Sequence, residues 1–97
     1  MRERKREPTH PGGILKRQYL EPLELNIAQV ADALKVSRKT LSKIVNERGA
    51  VTPDMALRLS RAFSTTPELW LTLQQTYDLW QTSHTSNSWK AVHAVAA

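Results

Sequence analysis

The sequence predicts an all-α chain, and three observations predict it. Apolar residues recur at three- and four-residue spacing along most of the 97 residues. No stretch alternates apolar and polar residues long enough to make a convincing strand. Helix-start chemistry also precedes the periodic runs: Asn26, Ser37, Thr52-Pro53 and Thr66-Pro67. A chain of this length has room for a single compact core.

Residues 1–10 are basic and polar and read as a flexible arm. Pro11-Gly12-Gly13 opens a first helix, Ile14 to Leu20, ended at Glu21-Pro22 because a proline biases its predecessor away from helical geometry. Asn26 caps a second, Ile27 to Leu34, with Ile27, Val30, Ala31 and Leu34 on one stripe. Ser37 caps a third, Arg38 to about Asn46, whose Leu41, Ile44 and Val45 share a face. Thr52-Pro53-Asp54 supplies a cap, an N1 proline and a first-turn acid for a fourth helix. It runs to about Phe63 and is expected to bury Met55, Ala56, Leu59, Ala62 and Phe63. Thr66-Pro67-Glu68 repeats that opening for a fifth helix reaching Trp80 or Gln81. Thr82 to Ser88 reads as a polar linker. Trp89 to Ala97 has room for a short helix with Trp89, Val92 and Val95 or Ala96 on one side. Being shorter than the roughly 12–15 residues an isolated helix needs, it must dock or stay loose. The expected organisation is an arm over 1–10, a helical domain over 11–81 and a tail over 82–97.

Charge narrows the function classes. Residues 1–48 carry eleven Lys and Arg against six acids, and residues 49–97 carry three against three, so the whole excess of +5 lies in one half. Such a half suits nucleic acid or an acidic protein surface, the alternative being a solvated basic face. No run approaches the ~20 apolar residues of a membrane span. MRERKRE leads into no apolar signal segment, and cysteine is absent. A cytoplasmic protein with no membrane partner is expected. His10, His84 and His93 lack partners at metal-ligand spacing, and the many serines and threonines sit at caps and in the linker. Neither an enzyme nor a metal or cofactor site is expected.

Only Lys35-Val36 joins helices two and three, too tight a turn for antiparallel packing and suited to the steep crossing of a helix-turn-helix. Ala31 is small where the helices approach, Val36 plugs the turn, and Leu41 and Ile44 lock helix three to the core. On a helical wheel Ile44 and Val45 fall within about 60° of Leu41. Lys39, Lys43 and Asn46 take the opposite face with Ser42 at its edge, and Arg38 follows the Ser37 cap. Arg38, Lys39, Ser42, Lys43 and Asn46 are therefore the candidate readers of double-stranded DNA, with Arg and Lys suited to guanine and Asn to adenine. Ser37 and the amides of the helix start suit a phosphate. The competing reading is a solvated surface.

Trp70, Leu73, Tyr77 and Trp80 form a seam along helix five, with Leu69, Leu71 and Leu79 apolar beyond it. The seam is expected to form a dimer interface, the alternative being the protomer's own core. A homodimer would set two recognition helices about 34 Å apart on a palindromic operator. The arm's Arg2, Arg4, Lys5 and Arg6 suit DNA phosphate or a minor groove, an acidic patch on a partner, or mere solubility.

Residues 10 to 81 resemble the HigA-type antitoxins, a branch of the XRE/Cro-like helix-turn-helix proteins. The resemblance rests on His10-Pro11-Gly12, Leu20-Glu21-Pro22-Leu23, Val36-Ser37-Arg38-Lys39-Thr40-Leu41-Ser42 and Val45-Asn46. Thr52-Pro53-Asp54-Met55-Ala56-Leu57-Arg58-Leu59, Pro67-Glu68-Leu69-Trp70-Leu71-x-Leu73-Gln74 and Tyr77-Asp78-Leu79-Trp80 complete it. It implies a five-helix, lambda repressor-like bundle, a dimer, repression of the chain's own promoter, and a cognate toxin: a RelE-like, mRNA-cleaving ribonuclease neutralised by binding. Three positions depart from the pattern. Ile27 stands where a phosphate-contacting Gln is usual, so no such role is carried over there. Lys35 stands where the turn often has Gly, and Glu47 where relatives tend to have Gly after the Asn, Gly49 being expected to absorb that turn. Besides the repressor-antitoxin, a stand-alone Cro-like regulator and a protein-only toxin inhibitor fit the residues. RNA binding fits less well, because the aromatic residues fall in the expected core.

Overall fold

The computed structural model describes residues 6–96. Five α-helices follow one another: α1 (Pro11–Leu15), prolonged by a π-helical turn (Lys16–Leu20), α2 (Ile27–Leu34), α3 (Arg38–Val45), α4 (Pro53–Phe63) and α5 (Pro67–Thr85). A 3-10 turn (Ser88–Ala91) comes last, and there is no strand among the described residues. Among the described residues no helix is long and apolar enough to cross a membrane.

The expected caps close their helices. Asn26 Oδ1 accepts the Gln29 N–H at 2.8 Å while Gln29 Oε1 accepts the Asn26 N–H at 2.9 Å, a reciprocal capping box. Ser37, Thr52 and Thr66 each accept the amide three residues on. The first helix begins earlier than expected, at Pro11, because His10 serves as its cap: Nδ1 accepts the Gly12 N–H at 2.9 Å. The arm does not extend to residue 10. Pro8 and His10 are buried, and Glu7 Oε1 accepts from Gln81 Nε2 of α5 at 3.2 Å. Arg2, Arg4 and Lys5 lie outside the described residues.

Leu15, Leu41, Leu59 and Trp70 are wholly buried, one from each of α1, α3, α4 and α5, and Val30, Ala31 and Leu34 of α2 close the core. Trp70 was expected at a dimer interface; it is instead 0% exposed, tilted against Tyr19, with Nε1 donating to Thr65 Oγ1 at 2.7 Å. A side chain with no free surface gives a second copy nothing to touch. Leu73, Tyr77 and Trp80 are half-buried: Leu73 packs on the core, Tyr77 meets the His10 ring edge-on, and Trp80 stacks on His84. Met55, Ala56 and Leu59 are buried as expected, but Ala62, one turn beyond, is exposed, and Phe63 is half-buried.

The expected linker from Thr82 is helical through Thr85. Its polar residues satisfy the helix they belong to. Ser83 Oγ donates to the Trp80 carbonyl at 2.8 Å and Thr85 Oγ1 to the Gln81 carbonyl at 2.7 Å. Such back-bonding lets a Ser/Thr tract continue a helix already seated by tertiary packing. The expected terminal helix is reduced to the 3-10 turn, with Trp89, Val92 and Val95 exposed.

One close approach sets α1 against α3. A Cβ at Gly12 would overlap the carbonyl oxygen of Ile44, a backbone atom held by the Glu47 N–H at 3.0 Å. Gly12→Ala should therefore destabilise the domain by at least about 3 kcal/mol, the upper range for overpacking, since no side-chain rotation relieves the clash. Urea denaturation followed by circular dichroism measures it, and a near-wild-type midpoint would contradict this packing.

Candidate nucleic-acid interface

The turn between α2 and α3 forms because α2 ends in a left-handed residue. Lys35 has φ 58° and ψ 45°, and the Val36 N–H reaches back to the Ala31 carbonyl at 3.0 Å. A non-glycine residue there stores on the order of 1–2 kcal/mol. Arg58 of α4 clamps the same turn: Nη1 donates to the Leu34 carbonyl at 2.8 Å and the Lys35 carbonyl at 3.2 Å, while Nε pairs with Asp54 at 2.7 Å. A cation on the last carbonyls of α2 also complements the helix dipole. The Asp54/Arg58 spacing of four was visible in the sequence as a helical ion pair; its reach to the turn was not.

Helix α3 buries Leu41, Ile44 and Val45 and turns its other side outward. Arg38, Lys39, Lys43 and Asn46 are exposed and Ser42 is half-buried at the edge. Among the described residues the one ion pair is Arg58–Asp54, so the three cations of α3 are uncompensated. Two polar groups on this ridge already have partners. Ser37 Oγ accepts the Thr40 N–H at 3.0 Å and donates to Thr40 Oγ1 at 2.8 Å. That leaves the first-turn amides of Arg38 and Lys39 without an intrahelical acceptor. Asn46 Nδ2 donates to the Ser42 carbonyl at 2.9 Å and to Ser42 Oγ at 3.2 Å, leaving Oδ1 free to accept. Bidentate pairing of Asn46 with adenine would have to break those bonds.

The turn after α3 differs from expectation. Gly49 does not absorb it; no glycine has positive φ, and Glu47 itself is left-handed at φ 62°. Gly49 serves a close approach instead, where a Cβ would lie 3.2 Å from that of Lys43. The Glu47 carboxylate is turned toward Gly13 of α1.

Behind α3, two buried polar side chains, Gln74 and His10, tie the elements together. Gln74 of α5 is buried; its Oε1 accepts the Val51 N–H at 2.8 Å and its Nε2 donates to Asp78 at 2.9 Å. His10 is 3% exposed beside Tyr77. Burial holds its pKa below the ordinary 6.5, opposed by the charges of Glu47, Asp78 and Glu7 and by the Gly49 backbone. The neutral ring also leaves Nδ1 free to accept from Gly12.

A polar cationic helix, seated on a small bundle by a two-residue turn and a buried apolar face, defines a helix-turn-helix domain. The helix-turn-helix family model matches residues 16–70. The chain is 48% identical over 79 residues to an uncharacterised helix-turn-helix-type transcriptional regulator of Haemophilus influenzae, covering 81% of this chain and 74% of the relative. It is 40% identical over 82 residues to antitoxin HigA-1 of Vibrio cholerae, covering 84% of this chain and 77% of the relative. Its structure superposes on antitoxin GraA, solved in complex with its operator, with TM-score 0.88 at 36% identity and full coverage of both chains. The chain belongs to the XRE-like helix-turn-helix family, in its HigA-type branch.

Two outcomes follow from this geometry. Lys35→Gly relieves the left-handed strain of about 1–2 kcal/mol and returns about 0.5–1 kcal/mol as chain entropy. The melting temperature should rise, by up to about 4–8 °C if the net gain reaches 1 kcal/mol; a lowered value would mean the Lys35 side chain contributes more than its backbone strains. The folded pKa of His10 lies below the unfolded value of 6.5, so the unfolded chain takes up the proton first. The stability contributed by neutral His10 is complete above pH 6.5 and declines as pH falls through that value toward the folded pKa. His10→Asn should remove this part of the acid destabilisation. Melting curves at about pH 8 and about pH 5, on either side of that range, check it for both chains, and an identical acid loss in the variant would refute it.

Proposed function

We propose that this chain is a repressor of its own promoter and the antitoxin of a toxin–antitoxin pair, binding a palindromic operator in double-stranded DNA as a homodimer. The observation that carries the reading is the ridge of Arg38, Lys39 and Lys43, exposed and free of acidic partners among the described residues, on a helix whose other side is locked into the core. In the major groove, the first half of α3 presents Arg38, Lys39, Ser42 and Lys43 to base edges. The amides of Arg38 and Lys39 with the Ser37 cap meet a phosphate, and Asn46 offers Oδ1 as an acceptor. GraA, solved with its operator, and HigA-1, named an antitoxin, support carrying both roles to this chain. The partner implied by the HigA-type likeness is a RelE-like, mRNA-cleaving toxin. Dimerisation uses α5, where Leu69 and Leu79 are apolar residues the core does not take up.

Fluorescence anisotropy on the chain's own promoter fragment tests the DNA role. Arg38→Ala, Lys39→Ala and Lys43→Ala together should weaken binding at least about 100-fold, since each good base pairing is worth about 1–3 kcal/mol. The salt slope should flatten by about 0.9 for every phosphate no longer neutralised. Growth rescue on co-expression with the neighbouring gene's product should survive the same substitutions. Wild-type protein without salt-dependent DNA binding would leave a protein-only inhibitor. Operator binding without rescue would leave a stand-alone regulator.

A further inference from the structure

Helix α5 packs Trp70 and Gln74 inward. On its outer side Glu68, Leu71, Gln75, Leu79 and Thr82 recur at three- and four-residue spacing, one stripe along the helix. Leu79 is 59% exposed, and Leu71, Gln75, Asp78, Leu79 and Thr82 border an open groove floored by Val51 and Gln74. A second unpartnered surface follows on the same chain. Trp89 is 49% exposed, Val92 77% and Val95 wholly. Beyond the Ser86 N–H, which bonds to the Thr82 carbonyl of α5, hydrogen bonds of this tail stay within it: Trp89 Nε1 to the Ser86 carbonyl, Lys90 N to Asn87 and Val92 N to Trp89. The backbone leaves α5 extended at Ser86, and the molecule is 51 Å long but only 23 Å across.

We propose that α5 of a second copy lies antiparallel along this groove and that each copy's segment 86–96 crosses the start of the other's α5, so that the tail is an exchanged arm of the homodimer. This rests on the dimer reading above. An isologous interface sets the two stripes antiparallel about a two-fold axis, here between Asp78 and Leu79. Antiparallel pairing there sets Gln75 across from Thr82 and brings Ser86 beside Leu71 of the other copy. The tail continues past the Leu71 end of the groove toward the start of that α5. Trp89 and Val92 cover its apolar end, and Lys90 arrives beside Glu68. Those two charges are opposite in sign, exposed, and without an ion pair among the described residues. In a single chain the tail cannot take this position. Glu68 and Thr85 are separated by about 25 Å of rigid helix, and the five residues that follow span at most about 18 Å.

The absence of cysteine makes a direct test possible. A double variant, Glu68→Cys with Lys90→Cys, should form a disulfide only between copies, because the bond needs Cα atoms about 4.4–6.8 Å apart. Mild oxidation at micromolar concentration should give a covalent dimer on a non-reducing gel, abolished when Leu79→Asp is added. Removing residues 87–97 should weaken dimerisation at least about tenfold by sedimentation equilibrium. A dimer in sedimentation that gives no 68–90 disulfide, or whose affinity survives truncation, would overturn the exchanged tail and leave the dimer reading standing. A disulfide that persists with Leu79→Asp would mark chance collision and overturn it as well. A monomer at tens of micromolar would remove both.

Discussion

Leu41, Ile44 and Val45 decide which side of α3 meets solvent. Burying three such side chains is worth roughly 1.5–3 kcal/mol each, and helical geometry leaves Lys39, Lys43 and Asn46 no option but the opposite face. The rest of the bundle holds that orientation. At the first turn, Arg58 fastens the carbonyls of Leu34 and Lys35, from which α3 departs. At the last turn, Gly12 lies against the Ile44 carbonyl. A helix gripped through the backbone at both ends cannot roll, so the angle of its cationic ridge is a property of the whole domain.

Strain and polar clamping balance one another here. Glu24, Lys35, Glu47 and Ser64 are all left-handed non-glycine residues at the close of a helical segment or turn. Each conformation is disfavoured in an isolated chain and persists because neighbouring groups over-determine it. Around Lys35 the fixing group is Arg58. The stretch leading from Glu47 is flanked by His10, Gly13 and the Gln74 bond to Val51. Gln74 and His10 are the buried polar side chains of the core, and both join α3's exit to the elements behind it. Their satisfied hydrogen bonds turn an expensive burial into a constraint on register.

Helix existence and type were legible in the sequence because caps act locally: Asn26, Ser37, Thr52 and Thr66 reach amides only three residues away. The chemistry of α3 was legible for the same reason, periodicity alone separating its apolar and cationic faces. Trp70 was not, since its seam partners Leu73, Tyr77 and Trp80 mark an apolar side without saying whether the protomer or a second copy covers it. The tract from Thr82 to Thr85 reads as linker by composition, and only the preceding helix, already anchored by Trp70 and Gln74, lets it back-bond.

By itself the sequence determined the five helices, the two-residue turn and the identity of the side chains on the exposed face of α3, all consequences of interactions within a few positions along the chain. The tertiary structure alone decided that Gly12 at the start of α1 meets the Ile44 carbonyl at α3's exit and that Arg58 clamps the turn. It also decided that Glu47 rather than Gly49 bends the chain and that Trp70 belongs to the core. Each depends on residues far apart in the chain meeting in space, and local propensity carries no record of them.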